Sequence, residues 1–281
     1  MKYLSYFLLS VCFVNAYPQE NFPKLSFPGQ IEQLVGFDTI SVSYERPSVR
    51  GRKIFGGLVP YGKLWRTGAS YATKLTFSND VEIAEKTIPK GSYALLSIPG
   101  PESWTLILNT ASDMFGTYEY DEAKDILRIE VPAKKSGRFY EAFTIDIDVI
   151  PNNARIYISW EETTVSFAVK TQTDARMEAF IQDSLLTGIY KDGGEYALAT
   201  EHLIYLNKQL DTALTLADLA IKKGGESYGY AMRMRALIAL ERYQEALKAA
   251  AEGKKYDEAH NIDGGTYYDD AIAEIQGLME E

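Results

Sequence analysis

The chain is almost without thiols and imidazoles: Cys12 is its one cysteine, and His202 and His260 are its two histidines. With no histidine between residues 17 and 170, a Ser-His-Asp triad is excluded from that stretch. Two histidines with no cysteine near them match no zinc-ligand spacing. Long apolar runs are also missing. The longest, Tyr3–Val14, is interrupted by Ser5 and Ser10 and falls short of the roughly 20 residues that span a bilayer. Positive charge is in deficit as well. A formal charge of -10 repels polyanions and sets nucleic acid aside as a partner.

That apolar run reads as an export signal. Lys2 supplies the positive start and Val14-Asn15-Ala16 a small residue at the cleavage point, so residues 1–16 are expected to be removed. Cys12 would leave with them, and the mature chain would fold by burial alone, without disulfides. A lipoprotein acylated at Cys12 is the competing reading, although Val11 stands where a small residue is usual. The expected location is periplasmic or outer-envelope associated, and soluble after cleavage.

Residues 17–36 form a lead-in segment, where Pro18, Pro23 and Pro28 oppose a regular helix or a central strand. From 37 to 172 the hydrophobic period is two. Phe143, Ile145, Ile147 and Val149 alternate with Thr144, Asp146 and Asp148; Ile156–Trp160 and Val165–Val169 repeat the pattern. With turns at Pro151-Asn152-Asn153 and at Glu161-Glu162, these runs predict a three-strand antiparallel meander with one wet face. Earlier strands are predicted at Ile40–Tyr44, Lys74–Ser78, Tyr93–Ile98, Trp104–Asn109 and Ile126–Val131. Seven or eight short strands with no helices between them predict an antiparallel β-sandwich, or a partly open barrel.

After residue 172 the period becomes helical. Met177, Phe180, Ile181 and Leu185 predict a helix over Met177–Tyr190, ended by Gly193-Gly194. Ala213, Ala217 and Ala220 then recur, thirty-three residues on, as Ala246, Ala250 and Gly253. A period near 34 is the mark of tetratricopeptide-like hairpins. The expected architecture is therefore multidomain, β then α, with a helical-repeat domain over 173–281 capped by the first helix and by Tyr267–Met279.

The densest signal is Arg46 to Asn79, RPSVRGRKIFGGLVPYGKLWRTGASYATKLTFSN. It carries Arg46, Arg50, Arg52, Lys53, Lys63, Arg66 and Lys74, with no acid between Glu45 and Asp80. Five glycines (51, 56, 57, 62 and 68) and two prolines (47 and 60) make it a long ordered loop, a place where function concentrates. Guanidinium forks match carboxylates and phosphates. The candidate anion ligands are Arg46, Arg52 and Arg66, with Tyr61 and Trp65 as walls. The structural alternative has these arginines satisfying loop carbonyls and the acids Glu45, Asp125 and Glu141.

The run RPSVRGRKIFGGLVPYGKLWRTGA, continued by TFSNDVEI, KGSYALLSIPG, SWTLILN and FGTYEYDEAKDILRIEV, closely resembles a secreted bacterial family known as domain of unknown function 2911. The resemblance covers about residues 22–170. It implies an envelope-associated β domain, often with a helical-repeat tail, and no accepted activity. Some relatives carry the names asparagine synthetase or dihydrolipoamide dehydrogenase. This chain has neither the cysteine pair of a dithiol enzyme nor a GxGxxG turn for a flavin nucleotide. Phe115 stands where the family commonly has Trp.

Three weaker candidates remain. Phe115 to Asp121 is an aromatic loop whose Tyr118 could stack on a sugar, or simply cover a sheet rim. Asp257, Asn261 and Asp263 near Gly264-Gly265 miss the ligand spacing of an EF-hand and read as a helix-end turn. Asp146 and Asp148 share a strand face, as a carboxylate pair would. The functional expectation is a non-enzymatic scaffold or protein-interaction module, with an envelope protein as partner of the repeats. The alternatives are a binding protein for a small anion or acidic glycan using loop 46–68, and a carboxylate-dependent hydrolase. No cofactor or metal is expected.

Overall fold

A computed structural model describes residues 23–280; the expected export signal, Cys12 and the start of the lead-in segment lie outside the described residues. The first part consists of two antiparallel sheets. Six strands make the larger one: β1 (Phe27–Val35), β2 (Asp38–Arg46), β3 (Thr73–Phe77), β6 (Gly91–Pro99), β7 (Ser103–Asn109) and β8 (Asp125–Pro132), in that spatial order. The smaller has β4 (Val81–Ile83), β5 (Lys86–Ile88), β9 (Lys134–Ile150) and β10 (Asn153–Lys170), in the order β5-β4-β10-β9.

Alternation explains most of it. In β2, Ile40, Val42 and Tyr44 turn inward while Ser41 and Ser43 do not, and in β9 Phe143, Ile145 and Ile147 do the same. These side chains and those of β10 fill one core between the sheets. Strand β6 is apolar on both faces for a reason. Tyr93 and Leu95 enter the main core, while Ala94 and Leu96 pack with Ala72, Ile107 and Met114 beneath the loop that follows β2 and the one that follows β7.

Two features depart from the expected strands. The segment around Pro28 is strand β1, paired along its whole length with β2 (Pro28 opposite Glu45). It is an edge strand, so the missing proline N–H leaves no central ladder broken. The expected turn at Glu161-Glu162 is instead a β-bulge inside the single long strand β10. There Glu161 takes a φ of 52° and the pairing with β9 shifts, so the meander is two strands rather than three.

The second part holds six α-helices: α1 (Thr173–Phe180), α2 (Gly193–Tyr205), α3 (Leu210–Lys222), α4 (Glu226–Ala239), α5 (Tyr243–His260) and α6 (Tyr267–Glu280). A π-helical turn, Ile181–Leu185, follows α1. Gly193-Gly194 opens α2 rather than ending the helix before it. Asp192 caps that start, its carboxylate accepting from Gly194 N. Helix α2 packs on α3 and α4, α4 on α5, and α5 on α6. Small residues set the approach: Ala213, Ala217 and Ala220 on α3 and Ala246 and Ala250 on α5 are fully buried. At Gly253 a Cβ would lie 2.5 Å from the Tyr268 ring, so only glycine lets α6 close on α5.

Polar contacts join the two parts. Thr173 Oγ1 accepts from Phe37 N at 3.1 Å, and a Cβ at Gly36 would lie 2.2 Å from that same oxygen. Arg176 pairs with buried Asp38 at 3.5 Å. Asn152 Nδ2 donates to Asp174 at 2.6 Å and lies 3.0 Å from His202 Nε2. Among the described residues no helix is long and apolar enough to cross a membrane.

Candidate functional site

The basic loop closes one end of the main core. Segment 62–65 continues the track of β3 along β6, with Trp65 exchanging backbone hydrogen bonds with Ser97 (2.7 and 2.9 Å) and Gly62 N donating to Pro99 O (2.8 Å). Trp65 thereby enters an aromatic cluster. It stacks on Trp160 at 5.9 Å and 18°, and meets Trp104 and Phe143 edge-on at 6.0 and 5.4 Å. Phe55 tilts onto Trp104 at 4.8 Å. Farther along, Ile54 N donates to Glu161 Oε1 at 3.0 Å, so the bulge in β10 holds the loop down.

Against this aromatic floor lies a cavity of about 460 Å³. Its rim carries Arg50, Arg52, Lys63 and Arg66, and its apolar walls include Leu64, Trp65 and Trp160. Among the described residues no carboxylate lines it, and four cations share the hollow in a chain of net charge -10. Low-dielectric walls strengthen such a field.

The arginines differ in what they already hold. Arg46 turns away from the cavity, donating from Nε to Phe143 O at 3.1 Å and from Nη2 to Thr144 Oγ1 at 3.0 Å, which ties β2 to β9. Arg52 lines the cavity but donates to its own loop, to Val49 O at 3.0 Å and Ser48 O at 2.6 Å. Arg50 reaches Leu25 O. Among the described residues Arg66 makes no side-chain hydrogen bond and no ion pair, and its Nε is buried without a partner. The Trp160 indole N–H, on a residue 1% exposed, is likewise buried and unpartnered, as is that of Trp104, which does not line the cavity. Buried donors are nearly always satisfied, and each orphan costs about 1–3 kcal/mol. The Arg66 and Trp160 donors belong to residues that line the same hollow.

Of the residues marked in the sequence, the fold brings Arg52, Arg66 and Trp65 together around the cavity. Tyr61 is 43% exposed and lies beside Gly56, off the lining. Tyr118 is 88% exposed on the loop after β7. The acids named as alternative partners bind groups other than these guanidiniums, two of them within the same loop. Glu45 accepts from Ser70, Glu141 from Arg50 N, and Asp125 from Asn109, Tyr120 and Arg128. Burial and the Asp125 carboxylate push the Tyr120 hydroxyl up to about 12, so it stays protonated as a donor. Asp146 and Asp148 stand exposed on the outer face of β9, in a separate hollow with Lys134, Lys135 and Arg138. Trp160 carries no distinctive sequence signal, since its spacing is that of any inward strand residue.

The model of the family described as protein of unknown function, DUF2911, matches residues 26–169. The chain belongs to the DUF2911 family. That match spans both sheets and the whole basic loop, and stops at the end of β10. Comparison with the curated proteins and with the solved structures gave no match.

Proposed function

We propose that this DUF2911 protein is a binding module for a small anion, held in the cavity under loop 46–68 by Arg66, with Arg50, Arg52 and Lys63 supplying the surrounding field. The observation that carries this reading is the Arg66 Nε, buried without a partner among the described residues, beside a hollow that no described carboxylate lines and that Trp65 and Trp160 floor. A cavity of about 460 Å³ lies within the range of small-molecule sites, about 300–1,000 Å³. Its lining offers hydrogen-bond donors and apolar walls. Calorimetric titration with glucuronate and with inorganic phosphate tests it. Binding of either by the native protein, lost in Arg66→Met, supports the reading; no binding of either sinks it.

The helical part fits the same picture as a second attachment point. We infer that α2–α5 are tetratricopeptide-like hairpins presenting a face to an envelope protein. The support is their successive packing and the buried alanines of α3 and α5. The reading also takes the protein to be exported after cleavage behind Ala16. Mass spectrometry of the protein from its native host checks this: a chain beginning at Tyr17 agrees, and a retained or acylated Cys12 contradicts.

A further inference from the structure

The basic cavity is not isolated. A second hollow, of about 600 Å³, is lined by Pro28, Gly29, Ser43, Glu45, Tyr71 and Lys74, among others. Three stretches of chain pass directly from one hollow to the other. Leu25 and Ser26 line the first, Pro28 and Gly29 the second; Gly68 and Ala69 line the first, Tyr71 and Ala72 the second. Pro47 and Ser48 line the first, and Ser43 to Glu45 the second. The two hollows are therefore neighbours, with Phe27, Arg46 and Ser70 between their linings.

Their chemistry differs. The second hollow has no cationic excess, since Lys74 is paired with Asp113 and Glu45 stands there as an acceptor. Its side is instead an exposed aromatic platform. Tyr71 is 57% and Phe115 53% exposed, and the rings meet edge-on at 5.2 Å. Backbone bonds hold that platform in place: Tyr71 bridges Phe115, and Gly116 N donates to Ser70 O at 2.8 Å. A rigid exposed ring beside carboxylates, an amide (Gln30) and hydroxyls stacks on the C–H face of a pyranose and bonds its hydroxyls.

Resting on the anion reading above, we propose that the ligand is an oligosaccharide carrying a single acidic unit. The acid sits in the basic cavity and the neutral sugars extend into the second hollow beside Tyr71. A uniformly acidic chain fits less well, because Glu45 and Asp113 face its later units.

The test is calorimetric titration of the full chain with three probes: glucuronate, a glucuronate-bearing xylotriose, and xylotetraose. The branched acidic probe should bind about two- to tenfold tighter than glucuronate, the increment of one aromatic stack. Tyr71→Ala should erase that increment and leave glucuronate binding unchanged; Tyr71 is half exposed, and an unaltered melting temperature verifies the fold. Xylotetraose should bind more weakly than either acid. Equal affinity for glucuronate and its xylotriose conjugate overturns the proposal while leaving the anion site standing. So does an equal loss on both probes in Tyr71→Ala, or binding of phosphate without glucuronate. Failure of all the acids removes the anion site itself.

Discussion

Two arginines from one loop should respond in opposite ways to the same substitution. Arg46→Met removes two charged hydrogen bonds, to Phe143 O and Thr144 Oγ1, and leaves the carbonyl of the buried Phe143 without this donor. Bonds of that kind contribute about 1.5–3 kcal/mol in favourable cases. Discounted for partial exposure, the pair is worth about 2–3 kcal/mol. At about 2–4 °C per kcal/mol for a part of this size, melting falls by about 4–12 °C. Arg66→Met breaks no bond, and it removes a buried orphan donor. Its melting temperature should stay within about 2 °C of native, or rise. Tryptophan fluorescence is the assay, because Trp65, Trp104 and Trp160 all lie in the β core and report on it alone. A ligand at a hundred times its Kd adds about 2.7 kcal/mol, which is about 5–10 °C. That increment should survive in Arg46→Met and vanish in Arg66→Met. If Arg66→Met melts as early as Arg46→Met and still gains the full ligand increment, the division of roles is wrong.

Other outcomes follow from packing and titration. Gly253→Ala drives a methyl into the buried Tyr268 ring and should cost about 1–3 kcal/mol, read by circular dichroism of the helical part with the tryptophan transition unmoved. Burial would raise the Asp174 carboxyl, but hydrogen bonds from Asn152 and Lys208 outweigh it and hold the folded group below its ordinary value. Its contribution is therefore full above about pH 4, the unfolded value, and is lost as pH falls through the lower folded one. Asp174→Asn should flatten the acid limb of stability against pH, measured by denaturant midpoints; an unchanged limb contradicts this.

The strands were readable where one face alone is wet. Phe143, Ile145 and Ile147 alternate with polar residues because β9 has core on one side and solvent on the other. Strand β1 escaped notice because prolines mark it as irregular, while an edge position tolerates Pro28. The bulge at Glu161 looked like a turn because two adjacent acids break the alternation, whether the chain reverses or only slips by a residue. Within the site, the cation-rich loop was legible as a charge asymmetry. Its division of labour was not: whether an arginine meets a carbonyl or a cavity depends on the partner strand, as Arg46 and Thr144 of β9 illustrate. Trp160 was hidden because its orphaned N–H is a property of its neighbours rather than of its place in the chain.

The indole N–H resonances offer the most direct test. Of the three tryptophans, Trp65 donates to Gly68 O at 3.1 Å, while the N–H groups of Trp104 and Trp160 are both buried without a partner, and of these two Trp160 alone lines the cavity. In a nitrogen-15 correlation spectrum titrated with glucuronate, the Trp160 cross-peak should move to saturation while that of Trp104 holds still, and Arg66→Met should abolish the movement. A Trp160 peak that stays fixed while ligand binds elsewhere, or that moves equally in Arg66→Met, contradicts the anion site.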